Sequence, residues 1–203
     1  VPRARQPGEA PLRIDADGWL AGVPRGVTPH RDARPPQARI ELLVIHCISL
    51  PPGEFGLAAI EALFAGTLDP AAHPAYAPLQ GLRVSAHFLV DRNGGLRQFV
   101  SCRERAWHAG RSEWNGRAAC NDFSIGVELV GSEFEAFTAS QYRTLAALQA
   151  CLCAAYPIRA TRGHSEIAPG RKFDPGPYFD WSRLARDTPP GPSPLPLSLP
   201  DVE

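Results

Sequence analysis

Between Arg162 and Pro177 the chain reads Arg-Gly-His-Ser-Glu-Ile-Ala-Pro-Gly-Arg-Lys-Phe-Asp-Pro-Gly-Pro, and this stretch restricts the fold more than any other. Pro169, Pro175 and Pro177 lack the backbone donor that helix interiors and central strands require, and Gly170 and Gly176 stand beside them. The segment is therefore expected to be a rigid, shaped loop. It carries an imidazole (His164), an ammonium (Lys172) and a carboxylate (Asp174), and loops of this kind hold functional groups where regular elements supply packing. Taken alone, a surface turn with incidental charges is an equal reading, and the remainder of the chain has to decide.

With 203 residues and 44% hydrophobic content the chain can bury one sizeable core, so a single domain is expected. Its 21 basic and 21 acidic residues cancel, and no basic cluster is interleaved with aromatics, which argues against a nucleic-acid partner. No apolar run approaches the roughly 18 residues of a membrane span, and no membrane partner is expected. The first residues lack the apolar core of a signal peptide, which points to the cytoplasm. Cys47, Cys102, Cys120, Cys151 and Cys153 show no paired C-x-x-C spacing and fit a reducing compartment.

Residues 1–17 are rich in Arg, Pro, Gly and Ala and read as a flexible arm. A domain is expected over 18–187, and a polyproline-like tail over 188–203. Within the domain, Ile40 to His46 reads as a buried strand ending at His46. Phe55, Leu57, Ile60, Leu63 and Phe64 recur at helical spacing up to Gly66, and a long surface loop follows over 68–82. Two strands flanking Asn93-Gly94 predict a hairpin. Phe123 to Leu129 reads as a core strand with Phe123, Ile125, Val127 and Leu129 on one face and Ser124, Gly126 and Glu128 on the other. Thr138-Ala-Ser-Gln141 has capping-box spacing and opens a helix that Pro157 ends. A final short helix is expected over 179–186.

Two histidines and an aspartate at the ends of different elements form the open ligand set of catalytic zinc, which makes His46, His164 and Asp174 the candidate metal ligands. A capped strand end is the plainer reading of His46 alone, and no spacing rule joins positions 46 and 164. His46 and Cys47 point to opposite faces of a strand, so they are not expected to share a metal. The H-E-x-x-H and deaminase zinc patterns are absent.

Val44-Ile-His-Cys-Ile-Ser-Leu-Pro-Pro-Gly-Glu-Phe-Gly56, Arg83-Val-Ser-Ala-His87, Arg105-Ala-Trp-His-Ala-Gly110, Cys120-Asn-Asp-Phe-Ser-Ile-Gly-Val-Glu128 and the 162–177 loop together resemble the zinc-dependent N-acetylmuramoyl-L-alanine amidases. The resemblance runs from about Gly18 to Asp187 and is strongest to the cytosolic branch that acts on 1,6-anhydro-muropeptides in peptidoglycan recycling. It implies an α/β fold of the α+β kind, a mixed central sheet flanked by helices as in peptidoglycan recognition proteins. It also implies one zinc per chain on His46, His164 and Asp174, with Glu128 activating water and Lys172 stabilising the oxyanion. Arg83, Trp107 and Arg117 fall on positions associated with substrate. The implied partner is a small muropeptide, and a monomer is expected. Non-catalytic muropeptide binding, or a periplasmic amidase acting on intact murein, are the competing readings.

Two departures from the family pattern stand out. Cys47 occupies a position where asparagine is common, and Glu166 and Gly170 occupy positions where aspartates are common. His87 and His108 read as packing or supporting groups, and His30 and His73 as surface residues.

Overall fold

The structure, a computed structural model, describes residues 11–189. Its centre is a five-stranded mixed sheet in the order β4-β3-β8-β2-β9, formed by Leu96–Gln98 (β4), Phe88–Val90 (β3), Ser124–Val130 (β8), Leu42–Ile48 (β2) and Ala160–Gly163 (β9). β2 runs parallel to both neighbours, β3 is parallel to β8, and only the β3–β4 hairpin is antiparallel. A parallel strand at the centre has both faces covered, which is why Leu42, Leu43, Val44 and Ile45 are all fully buried in an unbroken apolar run.

One face of the sheet presents Leu43 and Ile45 of β2 with Ile125, Val127 and Leu129 of β8. They pack against Tyr142, Leu145, Leu148 and Leu152 of the long helix α2 (Ala139–Ala155) and against Leu184 of α4 (Trp181–Asp187). Thr138 and Gln141 close the α2 N-terminus with the reciprocal hydrogen bonds of a capping box. Thr138→Ala is expected to cost about 1 kcal/mol of stability, as cap deletions do, measurable by denaturant titration. On the opposite face, α1 (Ala58–Ala65) buries Ile60, Leu63 and Phe64 over Leu89, Phe99 and Val130. There Leu42 and Val44 cover a smaller cluster with Ala109, Phe123 and Ile167, and the next residue of β2 on that face is His46. The apolar floor therefore turns polar at the C-terminal edge of the strand, where ligands bind in parallel sheets.

Several expectations are corrected. β2 continues two residues past His46, because Cys47 and Ile48 still pair with Leu129 and Val130. Phe123 precedes β8 and packs with the smaller cluster, away from Ile125, Val127 and Leu129. The arm expected over residues 1–17 is docked where it is described: Leu12 is buried and Ile14 bridges to Leu20, so isolated apolar residues tie it to the core. Residues 1–10 and most of the proline-rich tail lie outside the described residues. The lead-in contributes β1 (Arg31–Ala33), antiparallel to β5 (Glu104–Ala106), and a small hairpin joins β6 (Glu113–Trp114) to β7 (Arg117–Ala118). The 68–82 loop contains a 3₁₀ helix, Pro74–Leu79, which His73 caps by accepting from Ala75 N.

Candidate metal centre and cleft

The 162–177 segment is not one loop. It begins in β9, whose Gly163 pairs with Ile45, and His164 opens a single helical turn, α3 (His164–Ile167). Glu166 folds back so that its carboxylate accepts from Gly163 N at 2.6 Å and pairs with Arg162 at 3.4 Å. The loop proper starts after Ala168, which accepts from Arg171 N and Lys172 N, and returns so that the Asp174 carbonyl accepts from Ser165 N at 3.0 Å. Arg171 ties it to the neighbouring loop by donating to the Ala109 and Arg111 carbonyls. Parallel pairing of β2 with β9 thus carries His164 to His46 across 118 positions of sequence.

His46 Nδ1 lies 3.0 Å from His164 Nδ1 and 3.0 Å from Asp174 Oδ2, and the latter two are 3.2 Å apart. A tetrahedral zinc with ligand bonds of about 2.0–2.1 Å separates its ligand atoms by about 3.3 Å. The three donors form such a face, with side-chain exposure of 1% for His46, 4% for His164 and 14% for Asp174. Two ring nitrogens and a carboxylate oxygen in this arrangement suit a divalent cation. Burial lowers the His46 pKa to about 4 and favours the neutral ligand form. At Asp174 burial works the other way, but the bonds from His164 and His46 outweigh it and hold the carboxyl below its usual range.

Each imidazole is braced from behind, as metal-binding histidines are. His164 Nε2 is 3.1 Å from the Ala109 carbonyl, and His46 Nε2 is 2.9 Å from His108 Nδ1. His108 is in turn 3.1 Å from Ser124 Oγ.

Glu128 stands opposite His46 in the β2–β8 register. Its Oε2 is buried with no hydrogen-bond partner among the described residues. Burial, followed by the nearby Asp174 charge, raises its carboxyl well above the usual value, while Lys172 acts in the opposite direction. Glu128 and Lys172 both line a cleft of about 430 Å³ whose rim carries the exposed Leu82 and Phe173. Cys47 borders the cleft too, but it packs against the α2-side core, as strand alternation predicts.

The three residues expected to bind substrate are placed differently. Exposed Arg83 lies over the half-buried Trp107 ring at 5.8 Å. Arg83 also lines a neighbouring hollow of about 240 Å³ that shares Leu63 and Leu82 with the cleft. Arg117 does not border the cleft: it pairs with Glu41 at 3.1 Å and covers the Phe123 ring at 3.9 Å. Glu41 precedes β2 by one residue, about 16 Å along the strand from His46. His30 is buried rather than superficial, with Nδ1 3.0 Å from the Val84 carbonyl and its ring stacked on Trp107. The sequence reading missed Arg171 as a loop tie and Phe173 as a rim residue. The second had a signal, an aromatic between an ammonium and a candidate metal-binding carboxylate.

The family model for N-acetylmuramoyl-L-alanine amidase matches residues 36–177, a span that contains all three candidate metal donors, Glu128 and Lys172. The chain belongs to that amidase family. The 1,6-anhydro-N-acetylmuramyl-L-alanine amidase AmpD of Escherichia coli K12 is 54% identical over 169 residues, covering 82% of this amidase and 92% of the relative. The AmpD of Haemophilus influenzae is 50% identical over the same length, again covering 82% of this amidase and 92% of the relative. A crystal structure of a selenomethionine AmpD derivative superposes with a TM-score of 0.84 at 52% identity, covering 87% of this amidase and 99% of that chain. The AmiD amidase of E. coli, solved with anhydro-N-acetylmuramic acid-L-Ala-D-γ-Glu-L-Lys, superposes at 0.55 with 29% identity, covering 88% of this amidase and 66% of that chain. Both support the expected mixed-sheet amidase fold. No helix of the described residues is long and apolar enough to cross a membrane.

Proposed function

We infer that this chain hydrolyses the amide bond between 1,6-anhydro-N-acetylmuramic acid and L-alanine of the stem peptide, with one zinc held by His46, His164 and Asp174. It does so on small muropeptides, as a cytoplasmic monomer in peptidoglycan recycling. The observation that carries this reading is the unpartnered Glu128 carboxylate oxygen beside three converging metal donors. A module that only bound muropeptides would need neither the donor set nor a buried base.

When bound, zinc supplies a Lewis acid that polarises the amide carbonyl and makes water nucleophilic near neutral pH. Glu128 takes the proton from the attacking water on its carboxylate and returns it to the alanine nitrogen as the C–N bond breaks. The products are the muramic carboxylate and the free amine of the peptide. The Lys172 ammonium lines the same cleft and balances the negative charge that develops on the carbonyl oxygen. Arg83 lines the adjoining hollow with the Trp107 ring beneath it, and the two serve the remote part of the substrate.

Lys172→Met is expected to lower kcat by on the order of a hundredfold with zinc content unchanged, as loss of an oxyanion donor does. An unaltered kcat would remove Lys172 from the reaction. Treatment with a strong chelator is expected to abolish activity and added zinc to restore it, and full activity in a metal-free sample would refute the metal reading. Cleavage of soluble anhydro-muropeptide should greatly exceed cleavage of intact sacculi. The reverse preference would favour a wall-lysing enzyme.

A further inference from the structure

Phe173 is 68% exposed, although burying an aromatic side chain ordinarily stabilises a fold. It stands between Lys172 and Asp174, in a segment whose backbone is fixed on both sides. The Ala168 carbonyl accepts from Arg171 N and Lys172 N, and the Asp174 carbonyl accepts from Ser165 N. The ring is thus displayed at a set place beside the cation and the carboxylate of the site. It lines the cleft and also a second hollow of about 350 Å³, so it is a wall common to both.

The two hollows that adjoin the cleft differ in charge. The one sharing Leu63 and Leu82 with it carries the Arg83 guanidinium and no acid among the described residues. The one sharing Phe173 carries Trp181, Pro175 and Pro177, and among the described residues no cation lines it; its one charged side chain is Glu166. The Trp181 ring is held edge-on against Phe179 at 4.6 Å, which gives that hollow a second fixed aromatic.

The substrate inferred above has two arms of matching character. The stem peptide carries free carboxylate, its C-terminal group above all, and suits the Arg83 side. The muramic arm carries none once its lactyl carboxyl is part of the amide. Its anhydro bridge also ties up hydroxyls that a reducing sugar would expose, so the ring presents an apolar C–H face that packs well on an aromatic ring. We propose that Phe173 is the platform on which the sugar ring of the substrate stacks, the stem peptide leaving the cleft on the Arg83 side. This deepens the amidase reading and rests on it, and it makes Phe173 a substrate-binding residue with no part in the proton transfer.

The test compares kcat and KM on an anhydro-muramyl tripeptide and on the same tripeptide bearing D-lactate in place of the whole sugar. Phe173→Ala is expected to lower kcat/KM on the sugar substrate by about 10-fold, mostly through KM, as loss of a partly buried aromatic contact does. On the lactoyl peptide it should change little. Phe173→Trp keeps a flat ring and is expected to recover most of the loss. Arg83→Ala should instead lower kcat/KM on both substrates, since both carry the peptide.

An unchanged kcat/KM on the sugar substrate would overturn the platform. Equal losses with and without the sugar would overturn it too, by placing the ring against the peptide, and an Arg83→Ala loss confined to the sugar substrate would reverse the orientation. If Phe173→Ala fails to fold, or the lactoyl peptide is cleaved too slowly to compare, NMR titration of the wild-type protein with 1,6-anhydro-N-acetylmuramic acid decides. The Phe173 ring protons shift if the sugar stacks on them and stay in place if it does not. If the wild-type protein cleaves neither peptide, the amidase reading fails, and the same titration separately reports whether the sugar lies on Phe173.

Discussion

Glu128→Gln is expected to keep its zinc and its fold while amide hydrolysis falls by roughly a hundred- to ten-thousand-fold, the range for loss of a general base. Glutamine preserves the shape of the side chain and its place between Leu89 and His46 in the sheet register. It removes the basic carboxylate, one oxygen of which has no hydrogen-bond partner among the described residues. Zinc by atomic absorption, thermal unfolding and muropeptide cleavage by chromatography should therefore diverge, with only the last collapsing. A variant that loses its zinc would make Glu128 a ligand, and one with near-normal turnover would move the base elsewhere.

Asp174→Ala is expected to lose metal and activity together. His46 and His164 are the two donors left, and the one negative charge of the ligand set is gone. The fall in zinc affinity should exceed the roughly 10- to 100-fold that loss of an outer-shell partner causes. The backbone of the loop should persist, because the Asp174 carbonyl still accepts from Ser165 N and Arg171 still holds the Ala109 and Arg111 carbonyls. Unchanged zinc affinity in a folded Asp174→Ala protein would show that another carboxylate completes the site. Paired with Glu128→Gln, this substitution separates holding the metal from moving the proton.

The elements that announced themselves in the sequence are those whose local chemistry agrees with their tertiary role. β2 is an apolar run, α2 opens on a capping box, and the β3–β4 hairpin turns at Asn93-Gly94. Ala160-Thr-Arg-Gly163 carries no such pattern, and it is a strand because β2 offers it a parallel edge. Leu12 and Ile14 sit in polar surroundings and gain their place only by contact with the core. The candidate ligands were readable as residue types, but what joins His46 to His164 is strand order, which spacing does not encode. Arg117 was expected near substrate from its position alone, and its contacts here, Glu41 and Phe123, are ones that position does not encode. His108 was readable as a supporting group, but its orientation depends on the missing side chain at Gly126.

His46 and Glu128 are rungs of the same ladder, at paired positions on adjacent parallel strands. The backbone interval between His46 and Glu128 is therefore the interstrand spacing, about 4.8 Å, a length set by peptide hydrogen bonds. Changes in the surrounding loops can widen the cleft, alter its rim or move His164 and Asp174, yet they have no purchase on that interval. A one-residue slip of β8 would turn Glu128 to the opposite face and bring Val127 or Leu129 in its place. The placement of Glu128 beside His46 is thus all-or-nothing, while the loops that carry the cleft rim can vary around it.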